Sequence, residues 1–169
     1  MLQIVVQLHF YNMVLVLAAG LVAGIWGLVL YFQERRSARA EVKKDTDQAH
    51  SPGDAAPSSG EGNKDRAVDL PRRTLNRPWR ISLIVTAILG ALQAVLGITL
   101  VLLGQRAPGG NLYYLHYVYG GIVALAIPVA VSYATGNKNL RRDILVYSIA
   151  ALILAAAGAR ATMTGLGLP

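Results

Sequence analysis

Residues 2–36 read LQIVVQLHFYNMVLVLAAGLVAGIWGLVLYFQERR. The 31 residues from Leu2 to Phe32 contain no Asp, Glu, Lys or Arg, and then comes Gln33-Glu34-Arg35-Arg36. A helix needs about 20 mostly apolar residues to cross the hydrocarbon core of a bilayer. This run therefore predicts a transmembrane helix, from about His9 to Phe32 within residues 1–32. A cleaved secretory signal would carry a basic segment ahead of a shorter apolar core. None precedes this run, which reads as a retained helix.

The same signal recurs downstream. Apolar stretches over about 81–104, 113–134 and 144–161 each suit one crossing, so residues 81–169 join the first helix in one membrane domain. No period-two alternation suggests a barrel. The expected fold is all-α: an integral membrane four-helix up-down bundle, because the short links 105–112 and 135–142 make antiparallel neighbours.

Composition agrees. Apolar residues make up 54% of the 169, and charged residues 15%, against roughly 25% in soluble domains. The chain has no cysteine, which excludes disulfides, thiolate metal sites and covalent c-type haem attachment. The pI near 10.0 does not point to nucleic acid, because the basic residues flank apolar spans.

Residues 33–80 form a polar segment whose middle, 50–63, is rich in Pro, Gly, Ser and acids and is expected to be disordered. This segment carries 11 Lys and Arg; Lys138, Arg141 and Arg142 add three, and only Arg106 and Arg160 fall on the opposite side. Fourteen against two predicts that both basic loops are cytoplasmic and both termini outside, in a cell membrane. The clusters Arg35/Arg36/Arg39 and Arg72/Arg73/Arg77/Arg80 also suit anionic lipid.

A weak internal repeat marks the candidate site. Helix one opens Leu8-His9-Phe10-Tyr11 and helix three opens Leu115-His116-Tyr117; Arg35 and Arg141 follow the two histidines by 26 and 25 residues. Two similar helical hairpins would put His9 and His116 at one depth on diagonal helices. Histidine is costly in hydrocarbon and marks ligand, proton or substrate sites. Neutral imidazole is an axial ligand of haem iron, and bundle cores hold cofactors by side chains from facing helices. Gly120, four residues after His116, would let a flat macrocycle approach the backbone. Arg106 and Arg160 would pair haem propionates, since Arg suits carboxylates. Haem b is the cofactor this pattern implies. Interfacial packing of amphipathic rings, or a quinone or proton role, would use the same two residues. His50 falls in the polar segment and is not a ligand candidate.

Other features read structurally. Tyr113, Tyr114, Tyr117 and Tyr119, with Phe10 and Tyr11, suit an outer aromatic belt; Trp79 and Tyr31 suit an inner one. Gly20, Gly24, Gly90 and Gly97 suit close helix packing. Gln93 suits an interhelical hydrogen bond and Pro128 a kink in helix three.

The segment Leu92-Gln93-Ala94-Val95-Leu96-Gly97-Ile98-Thr99, followed by Leu115-His116, resembles one four-helix half of the haem A synthase family over about 50 residues. The resemblance implies a bundle with axial histidines toward the outer face. In that family the histidines belong to helices two and four of a half and a glutamate precedes one of them; here they open helices one and three, with no acid nearby. Small four-helix haem-binding membrane proteins with His on helices one and three are similar in spacing.

No phosphate loop, His-x-x-x-His, intramembrane carboxylate pair or nucleophile elbow occurs, so a stand-alone enzyme is not expected. The leading expectation is a bis-histidine haem b subunit for electron transfer or haem handling, with the lipid bilayer, a quinol or a larger membrane complex as partner. The alternative is a non-catalytic scaffold subunit of such a complex. A transporter is a third reading, weakened by the lack of intramembrane acids.

Overall fold

A computed structural model describes residues 2–49, 77–105, 113–134 and 139–166, with the side chains of 41, 42 and 44–49 left out. Four helices make up the fold: α1 (Leu2–Ala49), α2 (Arg77–Leu102), α3 (Tyr113–Tyr133) and α4 (Leu140–Gly165). Each is long and apolar enough to cross a bilayer. The chain is a multi-pass membrane protein.

Consecutive helices are neighbours. α1 packs on α2 and α4, and α3 packs closely on α4 and more loosely on α2. α1 and α3 therefore stand diagonally across an up-down bundle. Residues 135–138 and 106–112, which join the helices, lie outside the described set, as does the 50–63 stretch for which disorder is expected.

The inward face of each helix recurs at three- and four-residue steps. On α1 the buried or half-buried stripe runs His9, Asn12, Met13, Val16, Gly20, Ala23, Gly24, Gly27. On α2 it is Trp79, Leu83, Thr86, Gly90, Gln93. The intervening Leu, Ile and Val side chains stay exposed, which suits a lipid surround.

Glycine sets the α1–α4 distance. A Cβ on Gly20 would lie 3.0 Å from Leu154 Cδ2 and 3.1 Å from the Ala151 carbonyl oxygen. On Gly24 it would lie 2.7 Å from Leu152, and on Gly27 it would overlap Ser148 Oγ. Without a water-driven hydrophobic effect, such close approach gives the packing that holds helices together in lipid.

Two sequence expectations need correction. Helix one does not end at Phe32; it continues to Ala49. Residues 33–49 hold no Gly or Pro and many good helix formers, so polarity ends the membrane span without ending the helix. The Arg141 guanidinium stands 5.1 Å over the Tyr31 ring, so the start of α4 is level with Tyr31. The last turns of α1 therefore project past the bundle.

Trp79 is not a belt residue facing headgroups. It is fully buried, its indole N–H donates to the Ala23 carbonyl at 3.0 Å, and Tyr147 meets it edge-on. α2 begins at Arg77 rather than Ile81, which brings Trp79 into its first turn and onto the inward stripe. Pro128 lies inside α3 and removes one backbone donor there.

Candidate cofactor site

The site lies at the end of the bundle opposite Tyr31 and Trp79. His9 comes from the inward stripe of α1 and His116 from the first turn of α3. Their ring centroids are 6.3 Å apart, with the planes tilted by 53°. Diagonal helices thus bring the two imidazoles close together at one level, with their planes tilted.

Both rings line a cavity of about 670 Å³ that also borders Gln93, Gly97, Gly120 and Gly158. That volume falls in the range of roughly 300–1,000 Å³ typical of small-molecule sites. The lining is mostly apolar, with a few polar groups from Gln93, Gln105, Tyr117 and Thr162. All four helices line the cavity, which borders the α2–α3 seam, looser than the α1–α4 and α3–α4 seams. The space beside Gly120 and Gly121 is open: a Cβ on either would meet nothing within 4 Å.

The His116 ring is fixed. Its Nδ1 lies 2.9 Å from the Ala161 carbonyl in the last turns of α4. A carbonyl can only accept, so Nδ1 carries the hydrogen and Nε2 keeps the lone pair. This is the arrangement by which an outer partner orients a metal-binding imidazole. A Cβ on Gly165 would lie 3.3 Å from His116 Cε1, so the missing side chain makes room for the ring.

His9 meets a polar chain across α1 and α2. Asn12 Nδ2 donates to the Leu89 carbonyl at 3.0 Å and to Gln93 Oε1 at 2.8 Å. Gln93 Nε2 lies 3.3 Å from His9 Nδ1 and 3.2 Å from His9 Nε2. Among the described residues, no buried side-chain nitrogen or oxygen lacks a partner. A buried polar network is stabilising only when so satisfied.

The other candidates fall differently. Arg160 is not at the cavity. Gly158, Ala161, Thr162 and Gly165 line it, whereas Arg160 sits with Ile153 and Met163 on the exposed stripe of α4, its Nη1 4.0 Å from Met163 Sδ. One residue along a helix is a turn of about 100°, which separates Arg160 from the inward Ala161. Arg106 lies outside the described residues.

Asn12 and Met13 went unremarked in the sequence, yet both belong to the site. They follow His9 by three and four residues, hence share its face. Met13 lines the cavity and its sulfur accepts from the Thr162 hydroxyl at 3.0 Å.

Among the described residues, no three His, Cys, Asp or Glu side chains stand close enough to hold a metal ion. A bare zinc ion takes about four ligands. Two imidazoles alone suit a metal whose remaining positions are already filled, as in a haem. His9 and His116, with ring centroids 6.3 Å apart, are the residues that would hold such a group.

Fold and site define a class: an all-α, multi-pass membrane protein with a two-histidine cavity at one end. Comparison with protein-family models, with curated proteins and with solved structures found no match for this chain.

Proposed function

We propose that this membrane protein binds haem b between His9 and His116 and serves as an electron-transfer or haem-handling subunit. The observation that carries the reading is the pair itself: imidazoles from diagonal helices, 6.3 Å apart, in a mostly apolar cavity of about 670 Å³. The Ala161 carbonyl orients His116 and leaves its Nε2 lone pair for a metal. The open flank of Gly120 and Gly121 offers space for a flat macrocycle. A haem held there would supply one-electron iron chemistry.

Arg106 and Arg160 remain the proposed partners of the propionates. Arg160 would have to turn from Met163 to serve. The distribution of Lys and Arg supports an outward-facing histidine end in a cell membrane, with Ala49 and Arg77 on the cytoplasmic side. An electron donor soluble in the bilayer, such as a quinol, would reach the cavity through the α2–α3 seam.

Absorption spectroscopy tests the reading. Full-length protein, expressed with added haem precursor and purified in detergent, should show a Soret band. His116→Ala should abolish it and His9→Ala should shift it. A colourless protein, or a band indifferent to both substitutions, refutes the proposal.

A further inference from the structure

We infer that the lipid-facing groove between α3 and α4 binds one anionic phospholipid, whose acyl chain lies along the groove while Arg142 holds its phosphate. This holds whether or not the histidine cavity takes up haem.

The groove follows from side-chain size. Ala126, Ala130 and Ala150 line it and are half-buried or buried, whereas Val129, Ile149 and Ile153 line it and stand exposed. Short side chains along the seam between taller, exposed ones leave a trough of about 640 Å³. No charged or amide side chain lines it. Tyr133, the exposed last residue of α3, lines its end beside the start of α4.

Two adjacent arginines at that end serve different faces of α4. The Ser148 carbonyl and Leu152 face Gly24 of α1. Arg141 precedes them by seven and eleven residues and shares their face. Its guanidinium is engaged there, 5.1 Å over the Tyr31 ring and donating to the Tyr31 hydroxyl at 3.4 Å. Arg142 precedes Val146, Ile149 and Ile153 by four, seven and eleven residues, so it belongs to the stripe that lines the groove. Its backbone N–H donates to Asn139 Oδ1 at 3.2 Å. Its side chain is exposed and, among the described residues, meets no acid or hydrogen-bond acceptor.

Length and charge select the occupant. Arg142 and Ile153 stand eleven residues apart on one helix, about 16 Å along its axis. Half of a hydrocarbon core of about 30 Å is about 15 Å. A chain lying in the groove from mid-bilayer outward thus ends at Arg142, where a phosphate belongs. Guanidinium matches phosphate geometry, and cations flanking a span attract anionic headgroups. A second copy of the chain fits less well. Seated groove to groove about a twofold axis along the membrane normal, it would bring a second Arg142 to the level of the first, like charge beside like charge.

Native mass spectrometry of the full-length protein in detergent tests the site. Phosphatidylglycerol should be retained as one equivalent in preference to phosphatidylcholine. Arg142→Gln should lower phosphatidylglycerol affinity about fivefold and leave phosphatidylcholine unchanged. Arg141→Gln removes the same charge from the α1 side and should leave both nearly unchanged. Val129→Trp, made at an exposed position, fills the groove and should weaken both lipids. Equal losses in the two arginine variants, or none in Arg142→Gln, would overturn the inference. The chain has no cysteine, so Ile149→Cys reports on the groove alone. It should stay monomeric when oxidised in membranes, and a disulfide-linked dimer would assign the groove to a second copy and overturn the lipid site.

Discussion

Replacing Gly27 by alanine adds one methyl group at the tightest point of the α1–α4 contact. That methyl would overlap Ser148 Oγ and lie 2.9 Å from Trp79 Cζ2 and Nε1. Trp79 cannot recede, because it is fully buried and tied to the Ala23 carbonyl. Ser148 is fully buried too, with its hydroxyl donating to the Ile144 carbonyl at 2.6 Å. Turning it away leaves a buried hydroxyl without a partner, at about 1–3 kcal/mol. Spreading α1 from α4 instead costs about 1–3 kcal/mol as overpacking. Alanine returns up to about 1 kcal/mol through helix propensity. Taking about 2 kcal/mol as the middle of either route, the expected net loss is roughly 1–2 kcal/mol. Reversible unfolding in mixed micelles measures it. The double variant Gly27→Ala/Ser148→Ala removes the overlapped oxygen and should recover more than half of the loss, a positive coupling in a double-mutant cycle. Ser148→Ala alone should cost about 1 kcal/mol or less, since the Ile144 carbonyl keeps its helical partner. Gly27→Ala as stable as the parent, or no recovery in the double variant, would refute the packing described for α1 and α4.

Gly120→Leu should separate binding from folding. Nothing lies within 4 Å of the added Cβ, so stability should hold or rise by up to about 1 kcal/mol through helix propensity, while the side chain enters the cavity and the Soret band is lost. Tags at residues 1 and 169 should be open to protease added outside intact cells, and a tag between residues 50 and 76 should be protected. The reverse pattern would overturn the orientation drawn from the Lys and Arg count.

The spans were legible because hydrocarbon imposes one rule on every crossing segment: about 20 residues of apolar helix. The end of helix one was not. Charge at Glu34 marks the bilayer boundary, whereas a helix stops at a breaker, and residues 33–49 contain none. Trp79 was misplaced for a related reason. A tryptophan at the start of a span fits a headgroup belt and a buried layer equally well, and the face it takes depends on neighbouring helices. The proximity of His9 and His116 could be anticipated from the matched hairpins, because equal offsets from the basic turns imply equal depth. The partners of the rings could be only half seen. Asn12 and Met13 share the face of His9 by simple helical spacing, but the carbonyls of Leu89 and Ala161 leave no mark in a sequence. Arg160 illustrates the limit of reading by depth alone, since its place on the exposed stripe of α4 is set by the neighbouring helices and not by its level.

The unbroken α1 has a mechanical consequence. His9 and Ala49 belong to one helix and stand 40 residues apart, about 60 Å along its axis. His9 and the charged far end therefore belong to one continuous element, with no break between them at which one could move independently of the other. The chain is built as a shaft with an imidazole near one end and a segment of mixed charge at the other.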